Sequence, residues 1–247
     1  MRVLVIGDSC KDIYLYGSAD RLCPDAPVPV FVATHKRENK GMAGNVYENL
    51  VALGATCDFI TNEDEIIKTR YVEEKSNHII VRVDSGEEKI QKISNIHELK
   101  LDAYDAVVIS DYNKGFLSEK DISHLSQNHP VTFLDTKKIL GDWAKDVKYI
   151  KINEVEYATS RFQLSSRPWL QEKLITTMGS SGCRFNGRVF PVDKVEVKDL
   201  SGAGDTFLAA LVYKFLHTGD IHASLIYANQ CATLVVQKRG VTTVDDI

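Results

Sequence analysis

Six short runs, most of them rich in apolar and β-branched residues, recur along the chain, separated by amphipathic stretches: RVLVIG (2–7), TCDFI (56–60), DAVVIS (105–110), VTFLD (131–135), VKYIKI (147–152) and EKLITTM (172–178). A strand apolar at neighbouring positions has both faces covered, and a parallel sheet with helices on each side covers them. The fold class read from this rhythm is α/β, a mostly parallel sheet flanked by helices. With 247 residues, 44% of them hydrophobic, the chain can bury one large core. No linker, repeat or low-complexity tract interrupts it, so one domain is expected over 1–247.

Two stretches break the rhythm. PVPVFVATHKRENK (27–40) and TRYVEEKSNHIIVRVDSGEE (69–88) alternate polar with apolar residues, which predicts a small antiparallel sheet standing off the body. It would form a lid from segments about 12–40 and 67–92, and its exposed strand edges would seek a second copy of the chain. CRFNGRVF (183–190) carries Asn186-Gly187 between two short runs, the signal of a tight hairpin. From Gly204 onward Phe207, Leu208, Leu211, Val212, Phe215 and Leu216 keep a helical period that Gly219 closes. A last helix is expected from Asp220 as N-cap to Gly240, with Lys238 and Arg239 at its end.

A net charge of −4 gives no basic footprint for nucleic acid. No apolar stretch reaches the 18 or so residues of a membrane span, and MRVLVIGDS lacks the basic region and cleavage site of a signal peptide, so a cytoplasmic protein is expected. The five cysteines (Cys10, Cys23, Cys57, Cys183, Cys231) are odd in number and lack CxxC spacing, and the seven histidines lack ligand spacing. Both sets read as core or surface residues.

DLSGAGDTFLAAL (199–211) places two glycines before a helix. Gly202 and Gly204 let the backbone turn sharply and let a ligand approach it, while the helix start leaves amides open to an anion. Phe207 stands where a G-x-G-x-x-G fingerprint needs its third glycine, and no Gly-Lys-Ser/Thr follows, which excludes those two nucleotide motifs. Asp205 has two readings on residues alone: a carboxylate complementing the helix dipole, or one facing a hydroxyl that attacks phosphorus.

DLSGAGDTF resembles the Asp-Thr-x-Gly-Ala-Gly-Asp-x-Phe signature of the ribokinase-like (PfkB) carbohydrate kinases, and GMAGNVYENLVALGA (41–55) is similar to that family's N-terminal sugar-site motif. Within the family, GDSCKDIY, RLCPDAPVPVF, KTRYV, IIVRVD, SDYNKGFL and DTKK resemble kinases of heptose 7-phosphate; the Arg-x-x-Pro-x-Ala-Pro-Val-Pro stretch (21–29) is the most specific. The resemblance implies an ATP- and Mg²⁺-dependent sugar kinase, with D-glycero-D-manno-heptose 7-phosphate phosphorylated at its anomeric hydroxyl. A kinase for another sugar or sugar phosphate, or a non-catalytic nucleotide- or sugar-binding regulator, stands as the alternative.

The resemblance further implies Asp205 as base, and the amides of Gly202, Ala203 and Gly204 as the anion hole. Asp12, Gly41 and Asn45 would hold the sugar, while Lys68, Arg70, Arg82, Asp111 and Lys114 would meet the rest of the substrate, the cations meeting its phosphate. Lys137, Asn153, Thr177, Gly179, Gly182, Asn229 and Ala232 would border ATP. Asn153 and Glu156, from NEVE, would order water around Mg²⁺; the same pair also reads as a capping box. Asn229 and Ala232 read equally as packing residues. Three departures stand out: only TNEDEI (61–66) lies where relatives carry a further helix and strand, Met42 replaces a glycine, and DTKK lacks the usual Pro and Gly. No nucleotidyltransferase segment is present, so another protein would supply that step.

Overall fold

The computed structural model describes residues 1–238 and 240–244. In chain order the strands are β1 (Arg2–Gly7), β2 (Ser9–Leu22), β3 (Pro29–Met42), β4 (Thr56–Thr61), β5 (Ile67–Glu73), β6 (His78–Ser85), β7 (Ala106–Asp111), β8 (Thr132–Thr136), β9 (Tyr149–Asn153), β10 (Leu174–Thr177), β11 (Cys183–Phe185) and β12 (Arg188–Phe190). The helices are α1 (Ala43–Ala52), α2 (Glu119–Asn128), α3 (Glu154–Thr159), α4 (Arg161–Ser166), α5 (Pro168–Gln171), α6 (Ala203–Thr218) and α7 (Ile221–Val235).

Eight strands form one sheet in the order β12-β11-β10-β9-β8-β7-β1-β4. It is parallel from β10 to β4 and ends in the antiparallel pair β11/β12. Alternate residues of β1 explain the sandwich. Val3 and Val5 pack with Val46, Leu50, Leu208 and Leu211 of α1 and α6, whereas Leu4 and Ile6 pack with Ile122 and Leu125 of α2 on the opposite face. All four are fully buried, which is why the strand reads as a continuous apolar run. Asn186 (φ 46°) and Gly187 (φ 73°) make the expected left-handed two-residue turn between β11 and β12.

The lid is the four-stranded sheet β3-β2-β5-β6. Its antiparallel reading needs correction: β2/β3 and β5/β6 are antiparallel, but β2 and β5 run parallel from Lys11↔Ile67 to Gly17↔Glu73. The chain between those strands passes through β3, α1 and β4, a crossover long enough for a parallel return. Cys10, Asp12, Tyr14 and Tyr16 alternate inward along β2, while β6 is exposed throughout and β3 is mostly exposed until it is buried at Gly41 and Met42.

The short connection at 62–66 leaves β4 at the edge of the main sheet. Asn62 braces it, accepting from the Ser9 amide at 2.8 Å and donating to the Asp64 carbonyl at 2.6 Å. The last helix starts as expected, with Asp220 accepting from the His222 amide at 2.8 Å. It ends at Val235 rather than Gly240: the Val236 carbonyl turns to the amides of Lys198 and Asp199, closing the helix early. Arg239 lies outside the described residues. Among the described residues no helix is long and apolar enough to cross a membrane.

Candidate active site

Three helices carry side-chain N-caps: Ser118 on α2, Asn153 on α3 and Asp220 on α7. Helix α6 has none, because its N-cap is Gly202 in the left-handed region (φ 80°). The first-turn amides there remain available. Thr206 closes the turn on the Gly202 carbonyl at 2.9 Å, and the Ala203 amide reaches the Leu200 carbonyl at 3.3 Å. The Ala203 amide is therefore partly engaged, and among the described residues those of Gly204 and Asp205 make no backbone hydrogen bond. Asp199, which sequence reasoning passed over, holds this loop by accepting from the amides of Ser201 (2.8 Å) and Gly240 (3.1 Å).

Asp205 is the third residue of α6 and only 6% exposed. Its Oδ2 accepts from Asn45 Nδ2 at 2.9 Å and its Oδ1 from the Tyr112 hydroxyl at 2.7 Å. Burial pushes its carboxyl above the usual range, while the Asn45 and Tyr112 donors and the Lys151 ammonium pull it back. A Cβ on Gly202 would lie 2.6 Å from Asn45 Nδ2, so only glycine lets the loop turn beside the residue that holds the carboxylate. Lys151, 4% exposed, lies beside Gly204, where an added Cβ would come within 3.0 Å of Nζ. Its Nζ meets Asp135 Oδ2 at 2.5 Å.

A cleft of about 920 Å³ opens onto Gly202–Asp205. Lys137, Asn153, Thr177, Gly179, Gly182, Asn229 and Ala232, all expected to border a nucleotide, line it together, with Tyr112, Asp135 and Lys151. Glu156 does not line it. That carboxylate makes the capping box, accepting the Asn153 amide at 2.8 Å, and it also pairs with Lys137. The capping role of NEVE is thus realised, at the rim of the cleft.

On the lid side, Arg70 pairs with Asp12, and Gly41 gives Asp12 and Cys10 the room that a side chain would fill. Lys114 Nζ lies 2.5 Å from Glu87, and Lys68 4.0 Å from the same residue, so the body and the lid converge on one carboxylate. Arg82 faces Arg70 across the β5/β6 register yet its side chain is 52% exposed and bound to Asp84 of its own strand. The structure does not draw it into the cluster. Asp111 is also absorbed: its oxygens are taken by Lys138 Nζ at 2.6 Å and the Thr136 hydroxyl at 2.5 Å, and it does not line the cleft.

A nucleotide triphosphate would bring the charge that the open amides, Lys137 and Lys151 can meet. For Mg²⁺, the described residues hold no group of three acidic, His or Cys side chains that could cage an ion. Mg²⁺ commonly keeps several waters and leans on phosphates plus one or two protein groups. Asn153 in the cleft wall, Glu156 hydrogen-bonded to it from behind, and the Asp135 oxygen that has no hydrogen-bond partner among the described residues, suit such a role.

Residues 60–247 match the family described as pfkB family carbohydrate kinase. The chain is 30% identical over 289 residues to the bifunctional protein HldE of a Nitratiruptor species, an alignment that spans 98% of this chain and 63% of that protein. The chain thus spans a little under two thirds of such curated relatives. The aligned span exceeds the 247 residues present, so that relative carries residues this chain lacks. Among solved structures, the ribokinase of Thermotoga maritima superposes with a TM-score of 0.71 at 15% identity, covering 97% of this chain and 94% of that one. The Arabidopsis thaliana ribokinase complexed with ribose and ATP gives 0.70 at 14% identity, covering 99% and 95%. These likenesses show a ribokinase-like fold.

Proposed function

The chain belongs to the pfkB family of carbohydrate kinases, and from that membership we propose that it transfers the γ-phosphoryl group of ATP to a hydroxyl of a sugar phosphate. The observation that carries the reading is the Asp205 carboxylate held by Asn45 and Tyr112 at the open start of α6, inside the cleft. A carboxylate beside an anion hole weakens simple phosphate binding, but it serves a reaction in which a hydroxyl must lose its proton as it attacks phosphorus.

In this mechanism the acceptor hydroxyl attacks the γ-phosphorus in line. The new O–P bond forms as the bond to the β-phosphate oxygen breaks, and the proton passes to Asp205. The amides of Gly204 and Asp205 and the Lys151 ammonium meet the charge on the transferred group, and the buried site makes those interactions stronger than in water. Ala203 contributes less than the sequence motif implies, since its amide already has a partner. Asn153 and Glu156 would hold the water shell of Mg²⁺, which neutralises phosphate charge when bound.

Asp12 and Asn45 offer an acceptor and a donor to sugar hydroxyls. Lys68 and Lys114 share the single carboxylate of Glu87; two cations against one anion leave net positive charge for a substrate phosphate. The substrate we favour is D-glycero-D-manno-heptose 7-phosphate, phosphorylated at the anomeric hydroxyl, on the strength of the heptose-kinase stretches in the sequence. ATP consumption with Mg²⁺ across sugars and sugar phosphates tests this. Turnover is expected with the heptose phosphate and far less with the unphosphorylated heptose. Equal kcat/KM for the two would remove the phosphate-binding role, and no turnover with any sugar would remove the kinase reading.

A further inference from the structure

We infer that Tyr112 is a positioning residue for the base: its phenol, placed by a loop wrapped around Asp8, fixes one oxygen of Asp205 toward the acceptor hydroxyl. The inference rests on the reading of Asp205 as base. Tyr112 opens the loop after β7, and alternate amides of that loop converge on Asp8. The Asp8 carboxylate accepts from the amides of Tyr112 at 2.7 Å and of Lys114 and Phe116 at 3.3 Å each. Asn113 (φ 57°) and Gly115 (φ 108°), between those donors, adopt left-handed conformations that turn the three amides inward, an anion-binding nest filled by the protein's own carboxylate. Asp8 is fully buried just past the end of β1, so the loop is fixed to the main sheet beside its own strand β7.

The consequence is felt at the other end of Tyr112. Rotation of a carboxyl group about its last bond is soft. Here Tyr112 holds Oδ1 from the β7 side while Asn45 of α1 holds Oδ2, which selects one orientation. Each oxygen keeps a second lone pair with which to take a proton. The phenol can play only the donor, because burial and the adjacent Asp205 push its own ionisation well above the ordinary value. The other charged or titratable groups facing Asp205 come from β8, β9 and β2: Lys137 and Asp135, Lys151, and Cys10. Substituting Tyr112 with Phe leaves them all in place and keeps the ring over which Lys137 Nζ sits at 5.1 Å.

A donor to the ionised form favours that form, so its loss makes Asp205 harder to ionise. In Tyr112→Phe the acid limb of kcat/KM against pH is expected to move up by about one unit, a tenfold loss below the limb, with the KM for ATP little changed. The ¹³C titration of the Asp205 carboxyl in the ligand-free protein should move the same way, and that readout survives any loss of turnover. A limb and a titration that stay where the parent has them overturn the inference, even if turnover falls. Asp205→Asn separates the two readings. If that variant remains active, the base and its positioning residue fall together; if it is inactive while Tyr112→Phe shows no shift, only the role of Tyr112 falls.

Discussion

Replacing Lys151 with Met tests how the anion loop is held. The Lys151 and Asp135 side chains are 5% and 2% exposed and form the buried pair beside Gly204. Without Lys151, the Asp135 carboxylate keeps only Lys137 at 3.9 Å, and its second oxygen already lacks a hydrogen bond among the described residues. Breaking a buried pair from one side costs about 3–5 kcal/mol. In a domain of this size that corresponds to a fall in Tm of about 10 °C. Adding Asp135→Leu removes the stranded charge, and the double variant should recover most of the loss. Urea unfolding followed by circular dichroism gives both numbers. Turnover should stay low in the double variant, since the cation beside the transferred phosphoryl group is still missing. A single variant within about 1 kcal/mol of the parent, or a double variant no more stable than the single, would refute the argument that the pair is buried and mutually dependent.

Three other outcomes follow from the same geometry. Burial raises the carboxyl pKa of Asp205 in the folded protein, so the folded state binds that proton more tightly than the unfolded chain, and its contribution to stability falls as pH rises from about 3.9 through the folded value. Asp205→Asn should therefore raise Tm at pH 8, with the gain vanishing near pH 3.5; a variant less stable than the parent at pH 8 contradicts this. Gly202→Ala should cut kcat sharply, because the left-handed turn is strained and the new Cβ meets Asn45; parental turnover in that variant would show that the loop has room to spare. Arg70→Ala should mainly raise KM for the sugar phosphate while leaving that for ATP alone, and equal effects on both would move Arg70 out of the substrate side.

The main sheet was legible because its strands are buried on both faces, and a run such as RVLVIG has no other use for so many β-branched residues. Asn186-Gly187 and the α6 start announced themselves through backbone demands that few other residues meet. The lid was read only in part. Strand β2 mixes Lys11, Asp12 and Ser18 into its pattern, and its parallel partner lies more than 50 residues away, which no local signal can report. Lys137, Asn153, Thr177, Gly179, Gly182, Asn229 and Ala232 of the cleft were reached through motif and place, whereas Tyr112, Asp135, Lys151 and Asp199 were passed over. Each is polar, and Tyr112 and Asp135 sit at a strand end or just beyond one, where a sequence shows a turn or a solvated charge. In a parallel sheet those ends are where buried polar groups gather, and a lysine inside VKYIKI was the available clue. Asp111 and Arg82 were drawn the other way: their types suited a ligand, and the fold gave them partners of its own.

The central claim is that Asp205 takes the proton of the acceptor hydroxyl, and turnover of Asp205→Asn at saturating Mg-ATP, measured with nucleotide affinity by calorimetry, tests it most directly. The account predicts a kcat lower by about 10²–10⁴, with ATP bound as tightly as before or more so, because a charge that repels phosphate is gone. A variant that keeps more than about a third of the parental kcat would contradict it.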